Sequence, residues 1–157
     1  MKICFAASSG GHFEQLMMLK PLMEKYESFV VTEKTGYEVK TPVKCYYLQQ
    51  VNRRQWRCLF YLLKNTVDSL RLLHKEQPDV VHLQCINGNF INIYRLISWL
   101  KEHQIPTVIT LHAEFMYTAN CSHAFDCERW KSGCGRCPRQ YAASKSLLFD
   151  RTHASFL

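Results

Sequence analysis

The segment SSGGH at residues 8–12 is the first place where residue types and spacing suggest chemistry. The paired glycines Gly10 and Gly11 would let the backbone approach a ligand closely. The free N–H groups of a following helix favour a phosphate, and His12 could act as a general base or hydrogen-bond that phosphate. The dinucleotide pattern GxGxxG and the Walker lysine are both absent. The segment therefore predicts either a phosphate-binding loop that includes Ser8 and Ser9, or a tight turn beside a solvated histidine.

A second feature is a cluster of four cysteines towards the end of the sequence. Their spacing is Cys121-x5-Cys127-x6-Cys134-x2-Cys137. The last pair has the half-site spacing of structural zinc, and four thiolates would complete a closed tetrahedral site in which His123 could replace one thiolate. The alternatives are reduced thiols in a loop and adventitious disulfides. The other four cysteines are expected to be small residues of the core: Cys4, Cys45, Cys58 and Cys85.

The third feature is the basic segment 40–75. It holds eight Lys and Arg residues and one acid, Asp68, so its excess charge equals the net +7 of the chain. Its apolar positions have helical spacing: Trp56, Leu59, Phe60, Leu63, Val67, Leu70 and Leu73. We interpret this stripe as the helix face that covers a sheet. The cluster of Arg53, Arg54, Trp56 and Arg57 could dock on an anionic membrane surface or form a solvated helix face.

Alternating strand and helix patterns must position these features. Apolar runs predict strands at residues 2–7, 28–32, 45–48, 79–83 and 107–112. Helical periodicity predicts helices at 12–26, 53–75 and 90–101. Ser8 or Ser9 is expected to cap the first helix, and Pro21 to kink it or end its first part. Strands that are apolar throughout and alternate with helices indicate an α/β fold, a doubly wound parallel sheet forming a single Rossmann-like domain.

In such sheets, ligands bind at the carboxyl ends of the strands. Three polar clusters are predicted to follow strands here, at residues 8–12, 84–89 and 112–114. Their positions make the carboxyl edge of the sheet the candidate site.

Length and composition limit the classes of protein that fit. The chain has 157 residues, of which 47% are hydrophobic and 21% charged, which argues against disorder and fits one domain. No apolar run approaches the roughly 20 residues that span a bilayer. Without a secretion signal we expect a cytoplasmic protein with reduced thiols. Nucleic acid is not an expected partner, because no recognised nucleic-acid module is visible.

Residues 1–79 resemble the Alg14 family of polysaccharide and oligosaccharide biosynthesis proteins. The resemblance is carried by KICFAASSGGHFEQLMMLKPLMEKYESFVVTEKT and YEVKTPVKCYYLQQVNRR. It implies the acceptor-side Rossmann domain of a split glycosyltransferase of the GT-B type, paired with an Alg13-like subunit that binds the nucleotide sugar. By this resemblance Gly10, Gly11 and His12 would face the diphosphate of a lipid-linked acceptor.

Residues 79–157 are similar to the N-terminal domain of family 4 glycosyltransferases of the colanic-acid or capsule type. The similar elements are VHLQ, NGNFIN, TLH, ERWKSGCGRCP in the cysteine loop 121–137, and KSLLFDRT. By this similarity Asn87, Asn89 and His112 lie near the acceptor cleft. The two resemblances meet at PDVV, where both families place a Rossmann strand, and the second one stops before the acceptor-side domain would finish.

Both resemblances imply sugar transfer in the assembly of a cell-surface polysaccharide. We therefore expect an acceptor-binding, membrane-docking subunit at the inner face of the membrane, inactive without its donor-binding partner and with no metal required for catalysis. Structural zinc is the one cofactor that the sequence suggests. Two alternatives remain: a truncated N-terminal domain of a single-chain family 4 enzyme, and a non-enzymatic interaction module stabilised by zinc.

Overall fold

The computed structural model describes residues 1–36, 40–51, 56–85, 91–114, 121 and 123–132. The chain divides into two compact units, Met1–Thr110 and Leu111–Leu157, and each is described by itself. The prediction of one Rossmann-like domain over residues 1–157 stays a prediction.

The first unit is built on a parallel sheet. Its strands are β1 (Lys2–Ala7), β2 (Glu27–Glu33), β3 (Lys44–Leu48), β4 (Val80–Gln84) and β5 (Thr107–Thr110). Within the described residues their order is β3-β2-β1-β4-β5, and each neighbouring pair is parallel. Together with the flanking helices, this sheet confirms the predicted α/β Rossmann-like fold.

The helices of this unit differ in detail from the predicted ones. They are α1 (Gly11–Met17), α2 (Lys20–Lys25), α3 (Cys58–Glu76) and α4 (Ile93–Glu102). The predicted helix 12–26 is two short helices, and Pro21 lies in the first turn of α2, where its missing N–H costs no helical hydrogen bond. The expected serine cap of α1 is wrong: Gly10 is the N-cap residue, with no side-chain hydrogen bond.

Alternate residues of the central strand β1 supply the two faces of the core. Ile3, Phe5 and Ala7 pack with Phe13 and Leu16 of α1, Met23 of α2 and Val30 of β2. Cys4 and Ala6 point the other way, into an apolar space bounded by Val31, Leu73, Leu83 and Leu96. Cys4 and Cys85 are buried as expected, whereas Cys45 and Cys58 are half-buried. Burial raises the pKa of Cys4 and of Cys45, which keeps both thiols protonated.

Helix α3 meets our expectation only in its second half, where Leu73 is buried and Leu70 is half-buried. In its first half the buried residues are Asn65, Thr66 and Ser69, while Leu59, Phe60, Leu63 and Val67 of the predicted stripe are exposed. The side chain of Asn65 accepts a hydrogen bond from the Gln49 N–H (3.0 Å) and donates one to the Gln49 carbonyl (2.7 Å). Thr66 Oγ1 accepts one from the Asn92 N–H at 3.1 Å. These hydrogen bonds to the backbone turn the polar face of this part of α3 inward.

The last turn of α3 is held to the amino edge of the sheet by Glu76. Lys2 Nζ lies 2.6 Å from Glu76 Oε2, the Tyr46 hydroxyl donates to Glu76 Oε1, and Lys44 Nζ lies 3.6 Å from that oxygen. The hydrogen bonds from Lys2 and then Tyr46 lower the pKa of Glu76 from 4.5 to about 2. The carboxylate therefore joins α3, β1 and β3.

The second unit is described over 111–114, 121 and 123–132. It contains a short 3-10 helix, Arg129–Ser132, and the Glu114 carboxylate accepts a hydrogen bond from the Ala124 N–H. Across both units, no described helix is long and apolar enough to cross a membrane.

We predict that Asn65→Ala lowers the free energy of unfolding by about 2 kcal/mol, because the Gln49 N–H and carbonyl lose their partners. Urea denaturation measures this loss. Gln15→Ala, on the exposed side of α1, is the matched control and should change stability by less than about 0.5 kcal/mol. Equal effects of the two substitutions would contradict the anchoring role.

The lowered pKa of Glu76 predicts how the free energy of unfolding changes in acid. Its folded pKa, about 2, lies below the ordinary value of 4.5, so its contribution is complete above pH 4.5 and is lost as the pH falls towards 2. Urea midpoints should therefore separate wild type from Glu76→Gln at neutral pH and converge in acid. Glu24→Gln removes an exposed carboxylate paired with Lys20 and should show no such convergence.

Candidate functional site

The strand order of the sheet defines where a ligand can approach. Strand β1 pairs with β2 on one side and with β4 on the other, so the direction of winding reverses between β1 and β4. At such a reversal, the loops that follow the two strands turn away from each other and leave a crevice at the carboxyl edge. The candidate site is the part of this edge formed by Ser8–His12 after β1, Glu33 at the end of β2, and Cys85 after β4.

The turn after β1 requires glycine at one position. Gly10 has φ 82° and ψ −144°, a conformation that side chains strongly disfavour. Its carbonyl accepts hydrogen bonds from the N–H groups of Phe13 (2.9 Å) and Glu14 (3.1 Å), which start α1. A Cβ added at Gly10 or Gly11 would meet no atom within 4 Å. The backbone of the turn is therefore open to a ligand.

Glu33 holds the same turn from the neighbouring strand. It is the last residue of β2 and is 9% exposed. Its Oε2 accepts hydrogen bonds from the Ser9 hydroxyl (3.1 Å) and from the Ser9 N–H (3.4 Å). Because Ser9 directly precedes Gly10, this carboxylate fixes the entry to the open turn.

His12 lies on the other side of the turn, beside the end of β4. Its Nε2 is 3.6 Å from the Sγ of Cys85. Cys85 is 2% exposed and has φ 45°, an unusual conformation for a residue other than glycine. The half-buried imidazole thus stands at the winding reversal, next to the open glycine turn.

A second histidine lies inside the sheet rather than at its edge. His82 of β4 packs edge-on against the Phe5 ring, with centroids 5.8 Å apart, and its Nε2 is 3.0 Å from Thr110 Oγ1. Burial lowers the pKa of His82 and favours its neutral form. We assign it a packing role between β1, β4 and β5.

The structure brings together some of the residues that the sequence predicted for the acceptor site. Ser8, Ser9, Gly10, Gly11 and His12 lie together after β1. Asn87 and Asn89 lie outside the described residues. His112 is exposed and belongs to the second unit. The predicted phosphate site used the N-terminus of a helix over residues 12–26, whereas α1 has only seven residues. The candidate ligand site therefore depends on the open glycine turn and His12 rather than on the helix N-terminus.

The predicted membrane-docking cluster is described in part. Trp56 is 85% exposed, and the Arg57 guanidinium lies 4.9 Å from the centre of its ring. Arg53 and Arg54 lie outside the described residues.

Of the four clustered cysteines, two are described. Cys121 and Cys127 are half-buried in the second unit, and His123 is exposed. Cys134 and Cys137 lie outside the described residues, so the zinc site stays a prediction.

The described site offers a base or hydrogen-bonding imidazole, open backbone and a buried carboxylate. An imidazole can take a proton from an attacking hydroxyl or bind a phosphate oxygen. The open turn admits a bulky group, and the Glu33 carboxylate keeps the turn in one conformation. These groups fit the binding of a phosphorylated or hydroxylated ligand.

Comparison with known proteins finds a partial similarity to a glycosyltransferase. The chain is 30% identical over 83 residues to a protein of Escherichia coli (strain K12) named as the colanic acid biosynthesis glycosyl transferase WcaC. The match covers 48% of this chain and 20% of that protein, so the chain corresponds to about a fifth of this relative's length. No protein-family model matches the chain. The similarity supports a glycosyltransferase family and a role in polysaccharide biosynthesis, while the resemblance to the Alg14 family stays a prediction.

Sequence reasoning missed Glu33 and the contact of Cys85. An acid that ends the otherwise apolar run SFVVTE was the available signal for Glu33, because a strand end at the carboxyl edge is where such a side chain meets a ligand loop. Cys85 was expected to be a core residue, and nothing in its local sequence indicated that it would touch His12.

Replacing Gly10 or Gly11 by alanine is expected to change stability differently. Gly10→Ala should lower the free energy of unfolding by about 1 kcal/mol or more, since alanine at φ 82° is strained. Gly11→Ala has ordinary backbone geometry and open space, and should leave stability unchanged or slightly raised. Thermal denaturation of both variants tests this, and equal destabilisation would mean that the described turn is wrong.

Proposed function

We propose that this chain is the acceptor-binding part of a glycosyltransferase in cell-surface polysaccharide biosynthesis, such as that of a capsule or exopolysaccharide. The observation that carries the proposal is the open Gly10–Gly11 turn with His12 beside it at the winding reversal of the sheet. The similarity to WcaC supports the reaction class. The acceptor would be a lipid-linked diphosphate or a lipid-linked sugar.

In this proposal His12 and the turn carry out acceptor binding. The diphosphate would lie against the open backbone of Gly10 and Gly11, and His12 would bind a phosphate oxygen or accept the proton of the attacking hydroxyl. The carboxylate of Glu33 keeps Ser9 in place but would repel a phosphate brought against it. The diphosphate is therefore expected on the Gly11 and His12 side of the turn.

In the same proposal, a partner subunit binds the sugar donor. An Alg13-like subunit would bind the nucleotide sugar, and this chain alone would have no transferase activity. Asn87, Asn89 and His112 would extend the acceptor site, and the cysteine loop 121–137 would be held by structural zinc. The complex would work at the cytoplasmic, anionic surface of a membrane, where a lipid-linked acceptor lies.

The match to part of WcaC favours one alternative. The chain would then be the N-terminal portion of a single-chain family 4 glycosyltransferase, and the donor domain would follow in the same polypeptide. An antibody against residues 1–36 separates the two proposals, since it would detect a native protein of 18.5 kDa in the first case and a much larger one in the second.

A binding experiment with farnesyl diphosphate, a short soluble lipid diphosphate, tests the acceptor site. We expect the purified chain to bind it, and His12→Ala to weaken binding about tenfold, which corresponds to about 1.4 kcal/mol. His74→Ala, in the exposed last turn of α3, is the matched control and should bind like wild type. Isothermal titration calorimetry measures all three.

Two results would overturn the proposed acceptor site. One is the absence of binding by a wild-type chain whose circular dichroism shows it folded. The other is an equal loss of affinity in His12→Ala and His74→Ala. Sugar transfer by the purified chain without any other protein would separately refute the need for a donor-binding partner.

A further inference from the structure

The proposed site does not use the exposed apolar residues in the first half of α3. Leu59, Phe60, Leu63 and Val67 are 69%, 63%, 65% and 44% exposed. Leu63 follows Phe60 by three residues and Leu59 by four, and Val67 follows Leu63 by four, so the four residues form one continuous face along the first three turns of the helix. Trp56, which is 85% exposed, directly precedes these turns.

The stripe is exposed because α3 is fixed from its other side. The hydrogen bonds of Asn65 to Gln49 and of Thr66 to Asn92 lock the polar face of the helix against the sheet and α4. A rotation that buried Leu63 would leave the side chain of Asn65, which is fully buried, without these partners. The outward direction of the apolar side chains is therefore part of the fold.

Basic residues border the stripe along one side. Lys64 follows Phe60 by four residues, and Arg71 follows Val67 by four, so both stand beside the apolar face on the helix surface. Lys64 Nζ lies 2.5 Å from a carboxylate oxygen of Asp68, and Asp68 is the one acid in the segment 40–75. Arg57 stands over the Trp56 ring. An apolar face with tryptophan and phenylalanine and a basic border is the pattern of helices that lie in the interface of an anionic membrane.

The stripe begins near the edge of the sheet that holds the candidate site. Glu76 in the last turn of α3 binds Lys2 at the start of β1, which places this end of the helix at the amino edge. Asn65 binds Gln49, which follows the end of β3, and Thr66 binds Asn92, which lies between the end of β4 and the start of α4. Both partners are on the side of the sheet where β3 and β4 end. The turns that carry Leu59, Phe60 and Leu63 therefore lie towards the carboxyl edge.

We propose that the α3 stripe of Leu59, Phe60, Leu63 and Val67 inserts into the interface of an anionic membrane, with Arg57, Lys64 and Arg71 facing the lipid phosphates. This inference deepens the proposed function, because it would bring the carboxyl edge of the sheet to the surface that holds a lipid-linked acceptor. For these four residues it replaces our interpretation of the stripe as a sheet-covering face, which stands for Leu70 and Leu73.

Flotation with vesicles of phosphatidylglycerol and phosphatidylcholine tests the surface directly. We expect the chain to float with these vesicles and to bind those of phosphatidylcholine alone more weakly. Leu63→Ser should lower the partition coefficient about tenfold, because one large apolar side chain is lost from the interface. Arg71→Gln should lower it about fivefold, and more salt should shrink this difference.

Two matched controls separate the stripe from general surface effects. Met18→Ser removes an apolar side chain that is 80% exposed on another part of the unit, and Arg95→Gln removes an exposed charge of α4. Both should bind vesicles like wild type. Thermal denaturation of the four variants checks that each is folded, which is expected since all four positions are exposed.

Three results would overturn the proposal: a folded wild-type chain that does not float, a Leu63→Ser variant that floats like wild type, and equal losses in Leu63→Ser and Met18→Ser. A wild-type chain that forms dimers, loses them in Leu63→Ser and ignores vesicles would assign the stripe to a second copy instead. The vesicles contain no diphosphate acceptor, so their binding is independent of His12. Vesicle binding without farnesyl diphosphate binding would refute the acceptor site alone, and the converse would refute the membrane surface alone.

Discussion

Hydrogen bonding along both edges of β1 is the constraint on which the candidate site depends. The strand pairs in parallel with β2 from Lys2 to Ala6 and with β4 from Ile3 to Ala7. These two ladders bring the ends of β2 and β4 to the turn that follows β1, and so place Glu33 on one side of it and Cys85 on the other. A shift of either strand by one residue would reverse its side chains and remove these contacts.

A different interaction decides which face of α3 turns inward. It is the pair of hydrogen bonds between the buried side chain of Asn65 and the backbone of Gln49. They satisfy the backbone just after β3, and they leave the apolar stripe facing outward. The membrane surface and the acceptor site that we propose therefore have separate physical origins within one unit. Their common feature is position, because the first turns of α3 and the glycine turn both lie towards the carboxyl edge of the sheet.

Similarity to WcaC and the site geometry are two separate grounds for the sugar transfer that we propose. The similarity concerns the reaction class and covers a fifth of that protein. The geometry concerns what the chain could hold, which is an open backbone turn, an imidazole and a carboxylate that orders the turn. Neither depends on the cysteine cluster, whose last two members lie outside the described residues. The proposed roles of the acceptor turn, the α3 stripe and the zinc loop can each fail without the others.

The sequence alone determined the α/β class and the glycine turn, because apolar runs alternating with helical periods and a Gly-Gly pair are local patterns with few structural solutions. Tertiary structure decided what depends on distant partners. Periodicity predicts that the whole apolar stripe of α3 covers the sheet, whereas the hydrogen bonds of Asn65 to Gln49 turn its first half outward. Periodicity does not show which face of a helix finds hydrogen-bond partners. Glu33 with Ser9, and Cys85 with His12, meet across 24 and 73 residues, through strand pairing that no local pattern encodes.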